Sequence, residues 1–193
     1  MHMINLFTSS RKATFTRQLK PHLQNLYRQA YRFSGNQDDA EDLVQELLTR
    51  LYEKNIDLNA YEKPASWLLR ALYNQFIDQC RKKNRLPVDN SATDSDEILE
   101  SISNIEDSPH TLHELQNTKK TLDDALLSLN PEQRALIALH DIEGHSLPEL
   151  SEITGIPLGT LKSRLHRSRQ SLREILQPEL TIVEPFPETL RVT

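Results

Sequence analysis

Between Pro87 and Thr118 the chain carries eight carboxylates and not one lysine or arginine, and this run separates two blocks of helically spaced apolar residues. A segment rich in Ser, Asn and Asp and poor in aromatics cannot bury enough apolar surface to order itself as a core. The chain must therefore fold as two small bodies joined by a spacer rather than around one large core. With only four glycines, and Leu, Gln, Glu, Arg and Ala recurring throughout, both bodies are expected to be helical. The fold class read from the chain is all-α: two small helical domains joined by an acidic flexible linker.

In the first block Phe15, Leu19, Leu23, Leu26, Tyr27, Ala30 and Tyr31 recur at helical steps, with Pro21 able to kink or restart the helix. Ser34-Gly35-Asn36 interrupts the pattern, and the acids Asp38, Asp39, Glu41 and Asp42 open a second helix, where the dipole favours them. Its apolar stripe is Leu43, Val44, Leu47, Leu48, Leu51 and Tyr52; Gln45, Glu46, Arg50 and Glu53 line a wet face open to a partner. Residues 55–64 read as a loop feeding a third helix, from about Ala65 to Asn84. Trp67, Leu68, Ala71, Leu72 and Phe76 have core spacing, whereas Arg81, Lys82, Lys83 and Arg85 form a cationic end. A solvated basic terminus would explain that end equally well.

In the second block Leu122, Ala125, Leu126 and Leu129 form one stripe. Asn130-Pro131 starts another helix whose core positions run through Ala135, Leu136, Leu139 and Ile142. Ser146, with Glu149 three residues on, predicts a capping box for a short helix that ends at Gly155-Ile156-Pro157. A last helix, about Leu158 to Leu176, buries Leu161, Leu165, Ser168 and Leu172 and turns Lys162, Ser163, His166, Arg167 and Gln170 outward. A short capped helix, a glycine turn and a cationic second helix make a helix-turn-helix, whose second helix enters the major groove. Long donors suit guanine edges and phosphates, and Gly159-Thr160 at the helix start suits a phosphate.

Net charge decides little until it is divided along the chain. Residues 1–86 hold 14 Lys/Arg against 9 Asp/Glu and residues 119–177 hold 8 against 8, so a basic binding surface is compatible with the overall −5. The single Cys80 forms no intrachain disulfide and reads as a buried reduced thiol. No apolar run approaches the roughly 20 residues of a membrane span, and the start lacks a signal-peptide core. The expected location is cytoplasmic, without membrane insertion.

Three motifs taken in order carry a resemblance: Asp39-Ala40-Glu41-Asp42-Leu43-Val44-Gln45-Glu46, then Trp67-Leu68 with Asn74 and the basic run, then Gly159 through Arg169. Together they resemble the ECF (extracytoplasmic-function) group of the sigma-70 family of bacterial transcription initiation factors. The resemblance covers roughly residues 20–86 and 119–176 and departs from the usual pattern at Ser168, where alanine is commoner. It implies a sigma-two domain over 1–86, an acidic linker over 87–118, a sigma-four domain over 119–177 and a tail over 178–193. It implies that Asp42, Gln45 and Glu46 dock on core RNA polymerase. Asn74 and the loop 55–64 would hold an unstacked base of the minus-ten element, and Arg81, Lys82, Lys83 and Arg85 would neutralise phosphates there. Gly159, Thr160, Lys162, Ser163, Arg164, His166, Arg167 and Gln170 would read the minus-thirty-five element. Trp67 is a core anchor or a base-stacking platform. The linker is a plain spacer, about 100 Å long if fully extended, or a carboxylate-bearing thread into the RNA path. The tail is a disordered end or a partner-binding segment. The implied partners are core polymerase, promoter DNA and an anti-sigma factor, with no cofactor and no enzymatic activity.

Two rivals compete. A repressor of the ordinary helix-turn-helix kind leaves the first two motifs without a role. A metalloenzyme is prompted by His140, Asp141, Glu143 and His145, whose spacing suits no common ligand set.

Overall fold

A computed structural model describes residues 3–83 and 109–180, all within or between helices, with no strand among them. The first helix, α1 (Met3–Ser34), begins a dozen residues before the expected start and runs unbroken through the exposed Pro21. Gly35, at φ +83°, turns the chain in the left-handed region that glycine enters freely. Asn36 then caps α2 (Gln37–Glu53) by accepting a hydrogen bond from the Asp39 amide at 2.8 Å. Of the expected stripe Leu43, Val44, Leu47 and Leu51 are buried, joined by Ala40, while Leu48 and Tyr52 are half-buried.

The exit from α2 satisfies its last carbonyls locally: Asn55 adopts φ +51° and the Ile56 amide donates to the Leu51 carbonyl at 3.1 Å. A single 3₁₀ turn, Leu58–Ala60, follows, tied to α1 by Gln18 Nε2 donating to Asp57 Oδ1 at 2.7 Å. Helix α3 (Pro64–Lys83) buries Leu68, Leu69, Leu72, Tyr73, Phe76 and Ile77 against α1 and α2. Phe33 of α1 meets Tyr73 edge-on and lies 5.3 Å from the Phe76 ring.

The second unit opens with α4 (Pro109–Ser128), so its first ten residues lie inside the segment read as linker; the remainder of that segment lies outside the described residues. Proline at a helix start loses nothing, since its missing amide would be unpaired there anyway. Leu122 departs from the expected stripe and is 40% exposed, while Ala125 and Leu129 are buried. Helix α5 (Pro131–Ile137) carries a complete capping box between Asn130 and Gln133.

It then widens into a π-helical turn, Ala138–Ile142, in which the Glu143 amide reaches back five residues to the Ala138 carbonyl. The extra residue in that turn shifts the helical phase, so Ile142, expected in the core, is 43% exposed, whereas Leu139 stays fully buried. The short α6 (Leu147–Thr154) has the predicted Ser146–Glu149 capping box and ends at Gly155, φ +72°. Helix α7 (Leu158–Leu180) runs a full turn past its expected end and through Pro178.

The two units touch. Helix α6 lies on α3, and α5 with its π-helical turn lies on α1, so Leu136, Leu139, Leu150 and Ile153 join the core formed by α1 to α3.

Candidate nucleic-acid interface

Local chemistry builds the helix-turn-helix. The Ser146 and Glu149 side chains exchange bonds with each other's backbone amides, fixing where α6 begins. Gly155 donates to the Ser151 carbonyl at 2.9 Å, and the Ser151 hydroxyl donates to the Ile156 carbonyl at 2.7 Å, fixing the turn. With Leu161, Leu165 and Ser168 buried beneath it, α7 exposes Gly159, Thr160, Lys162, Ser163, His166, Arg167 and Gln170 along one outer face. Ser168 suits its small, closed position because its hydroxyl donates to the Arg164 carbonyl at 2.9 Å. Gln170 donates to Glu174 Oε1 at 3.0 Å, one turn on. Arg164 stands apart from the exposed row: it is half-buried and its Nη1 donates to Glu132 Oε2 at 2.7 Å.

On α3, Asn74 is exposed. Two turns further toward the helix start, Trp67 packs partly on the core and lies 4.3 Å from the Tyr61 ring, tilted by 32°. Both aromatics line an open hollow of about 370 Å³ together with Lys63, Ser66 and Arg70. Tyr61, the one aromatic of the loop 55–64, and Arg70 carry no mark in the sequence, because no local pattern places a loop side chain against Trp67. At the other end of α3 the cations are not all free: Arg81 pairs with Glu132 at 3.3 Å, Lys83 pairs with Asp39 at 3.3 Å, and Lys82 is exposed. Arg85 lies outside the described residues.

Asp42, Gln45 and Glu46 sit on the outer face of α2, opposite its buried stripe. Glu46 accepts from Gln79 Nε2 at 2.6 Å and pairs with Arg50 at 3.1 Å, which holds it upright on that face.

Three of the four side chains that suggested a metal site have other partners. His140 Nδ1 bonds the His145 carbonyl at 2.6 Å, Asp141 accepts from Arg169, and Glu143 pairs with Arg28 and Arg32. No cluster of three potential ligands exists among the described residues.

Comparison with known proteins joins these surfaces. The Sigma-70 region 2 family matches residues 19–86 and the Sigma-70 region 4 family matches residues 119–172. The ECF RNA polymerase sigma factor SigE of Mycolicibacterium smegmatis is 38% identical over 160 residues, which are 82% of this chain and 60% of that one. SigW of Bacillus subtilis, also an ECF RNA polymerase sigma factor, is 35% identical over 159 residues, 79% of this chain and 83% of its own. Among solved structures, the sigma factor RpoE of Bartonella quintana, in complex with the anti-sigma factor NepR, superposes with a TM-score of 0.58 at 28% identity, over 84% of this chain and 96% of that one. The chain belongs to the sigma-70 family of RNA polymerase sigma factors, and within it to the ECF type.

Proposed function

We propose that this chain directs core RNA polymerase to promoters through three separate surfaces and performs no chemistry of its own. Catalysis belongs to the polymerase. Docking falls to Asp42, Gln45 and Glu46; the exposed position of these polar groups on the face of α2 opposite its buried stripe supports the assignment. Asn74 and the hollow beside Tyr61 and Trp67 take an unstacked base, for which a flat aromatic wall and nearby donors are the required chemistry. Arg81, Lys82, Lys83 and Arg85 neutralise the adjoining phosphates.

The observation that carries the reading is the face of α7. Lys162, Ser163, His166, Arg167 and Gln170 form an exposed row backed by Leu161, Leu165 and Ser168, so the helix offers donors to a groove without surrendering its core. Gly159 and Thr160 meet a phosphate at the helix start, and Arg164 lies at the edge of the row.

The domain division follows the same surfaces: 1–86, a linker over 87–118 whose last residues extend α4, 119–177, and a tail from 178. No described helix is long and apolar enough to cross a membrane, and a cytoplasmic site of action follows from the partner. An anti-sigma factor is the natural regulator, as RpoE is solved with NepR bound. Run-off transcription by core polymerase on genomic fragments of the source organism, with and without this chain, tests the function. Discrete transcripts sharing two spaced upstream motifs establish it; DNA binding without transcripts replaces it with repression.

A further inference from the structure

Three large apolar side chains stand exposed among the described residues: Leu122, Ile142 and Leu158. The first two lie on α4 and in the π-helical turn. Leu158 alone sits on α7, where it is the first helical residue and is 45% exposed. Its backbone is fixed from the outset, because the Pro157 carbonyl accepts from the Leu161 amide at 2.9 Å. One turn on, Lys162 belongs to the exposed row of donors, so Leu158 extends that row toward the helix start.

Gly159, beside it, has no positive φ, and a Cβ there would meet nothing within 4 Å. Neither its own backbone nor packing inside the protein calls for glycine, which weakens a helix relative to alanine. The missing side chain instead lowers the outer surface of the first turn, so that another molecule can come close to the helix at Leu158. A helix-turn-helix brings the N-terminal residues of its second helix to the base edges. There a leucine side chain can neither donate nor accept a hydrogen bond. The one apolar group that the bases present in the major groove is the C5 methyl of thymine.

We infer that Leu158 is a specificity determinant, which packs its isobutyl group on the C5 methyl of one thymine in the upstream element. The inference deepens the reading of α7 proposed above and rests on it. Lys162, Arg167 and their neighbours supply donors to phosphates and to hydrogen-bonding base edges. Leu158 adds a preference that those donors cannot express, since it responds to a methyl group. Cytosine in the same place presents an amino group and no methyl, which leaves the leucine against a polar edge.

The test uses holoenzyme reconstituted from core polymerase and the full chain, on the promoter duplexes that the run-off assay returns. Each thymine of the upstream motif, on either strand, is replaced in turn by deoxyuridine, which removes the methyl and leaves every hydrogen-bonding group in place. One position is expected to lose about three- to fivefold in affinity, the effect of exposing a single buried methyl. Leu158→Ala should bind the thymine duplex at least that much more weakly and lose its response to deoxyuridine at that position. Leu122→Ala, which trims an exposed leucine off α7, should keep the full response. A motif without thymine, a scan with no sensitive position, or a sensitivity that Leu158→Ala retains overturns the inference and leaves the sigma-factor reading intact. A parent holoenzyme that selects no duplex overturns that reading and this inference with it.

Discussion

The side chain of Leu127, on α4, lies against Gly35, the left-handed residue that turns α1 into α2, so closely that a Cβ at Gly35 would collide with a Leu127 methyl. Two costs coincide at this position: a backbone conformation that L residues enter reluctantly, and an inter-unit contact that leaves no room. Gly35→Ala is expected to lose about 1–2 kcal/mol from the backbone alone, plus a packing penalty. Gly35→Ala/Leu127→Ala should recover the packing part and not the backbone part. Urea unfolding of both singles and the double gives the coupling directly; strict additivity would show that the contact is not made.

Arg167 stands in the exposed row of α7, with its guanidinium only loosely returned to the Ser163 carbonyl at 3.4 Å. In reconstituted holoenzyme, Arg167→Ala should cost about 1–3 kcal/mol at the upstream element and relax base preference there. Lys83→Ala should weaken binding evenly across sequences and flatten its salt dependence. Footprint titrations on matched and scrambled promoters separate the two, and a uniform loss from Arg167→Ala would remove it from the groove.

Asp42 is exposed on α2, so the docking role proposed for it can be tested without a structural partner to confuse the result. Asp42→Lys should leave the melting temperature within about 1 °C, since an exposed substitution away from caps and core changes stability little. Affinity for core polymerase should fall about tenfold or more through reversed charge. Fluorescence binding to core enzyme checks it, with circular dichroism as the fold control; retained affinity would place docking elsewhere.

The Asp39 carboxyl is held below the usual carboxylate range, chiefly by the Asn36 amide donating to it at 2.9 Å and then by the Lys83 ammonium, against the opposing effect of partial burial. A depressed folded-state value means the ionised form stabilises the fold. That contribution is complete above the unfolded value near pH 4 and is lost as pH falls through the folded one. Asp39→Asn should therefore lower the unfolding free energy from urea titration at pH 7 by less than about 1 kcal/mol for so exposed a group. The gap from the parent chain should close as pH falls below the unfolded value near 4 and through the lower folded one. A gap that persists in acid would assign the loss to the amide's shape rather than to charge.

What the sequence by itself determined is local. The Ser146–Glu149 cap, the left-handed Gly155 and the three- and four-residue steps of Leu161, Leu165 and Ser168 specify the helix-turn-helix, because each acts within one or two turns of backbone. The stripe of α2 and its wet opposite face were legible for the same reason. The starts of α1 at Met3 and α4 at Pro109 were not, since the polar run Thr8 to Lys12 parts the first apolar turn of α1 from its stripe and α4 begins inside a segment of acidic, linker-like composition. Nor was the π-helical turn that turns Ile142 outward, because a five-residue step has no mark in a pattern read at 3.6 residues per turn. Tertiary structure alone decided that Tyr61 faces Trp67, that Leu127 lies on Gly35, and that Glu132 is shared by Arg81 and Arg164. The partners in that last group stand 51 and 32 residues from Glu132. Charge and spacing can say that such residues are able to pair; only the packing of α5 and α6 onto α1 and α3 brings these particular ones within reach.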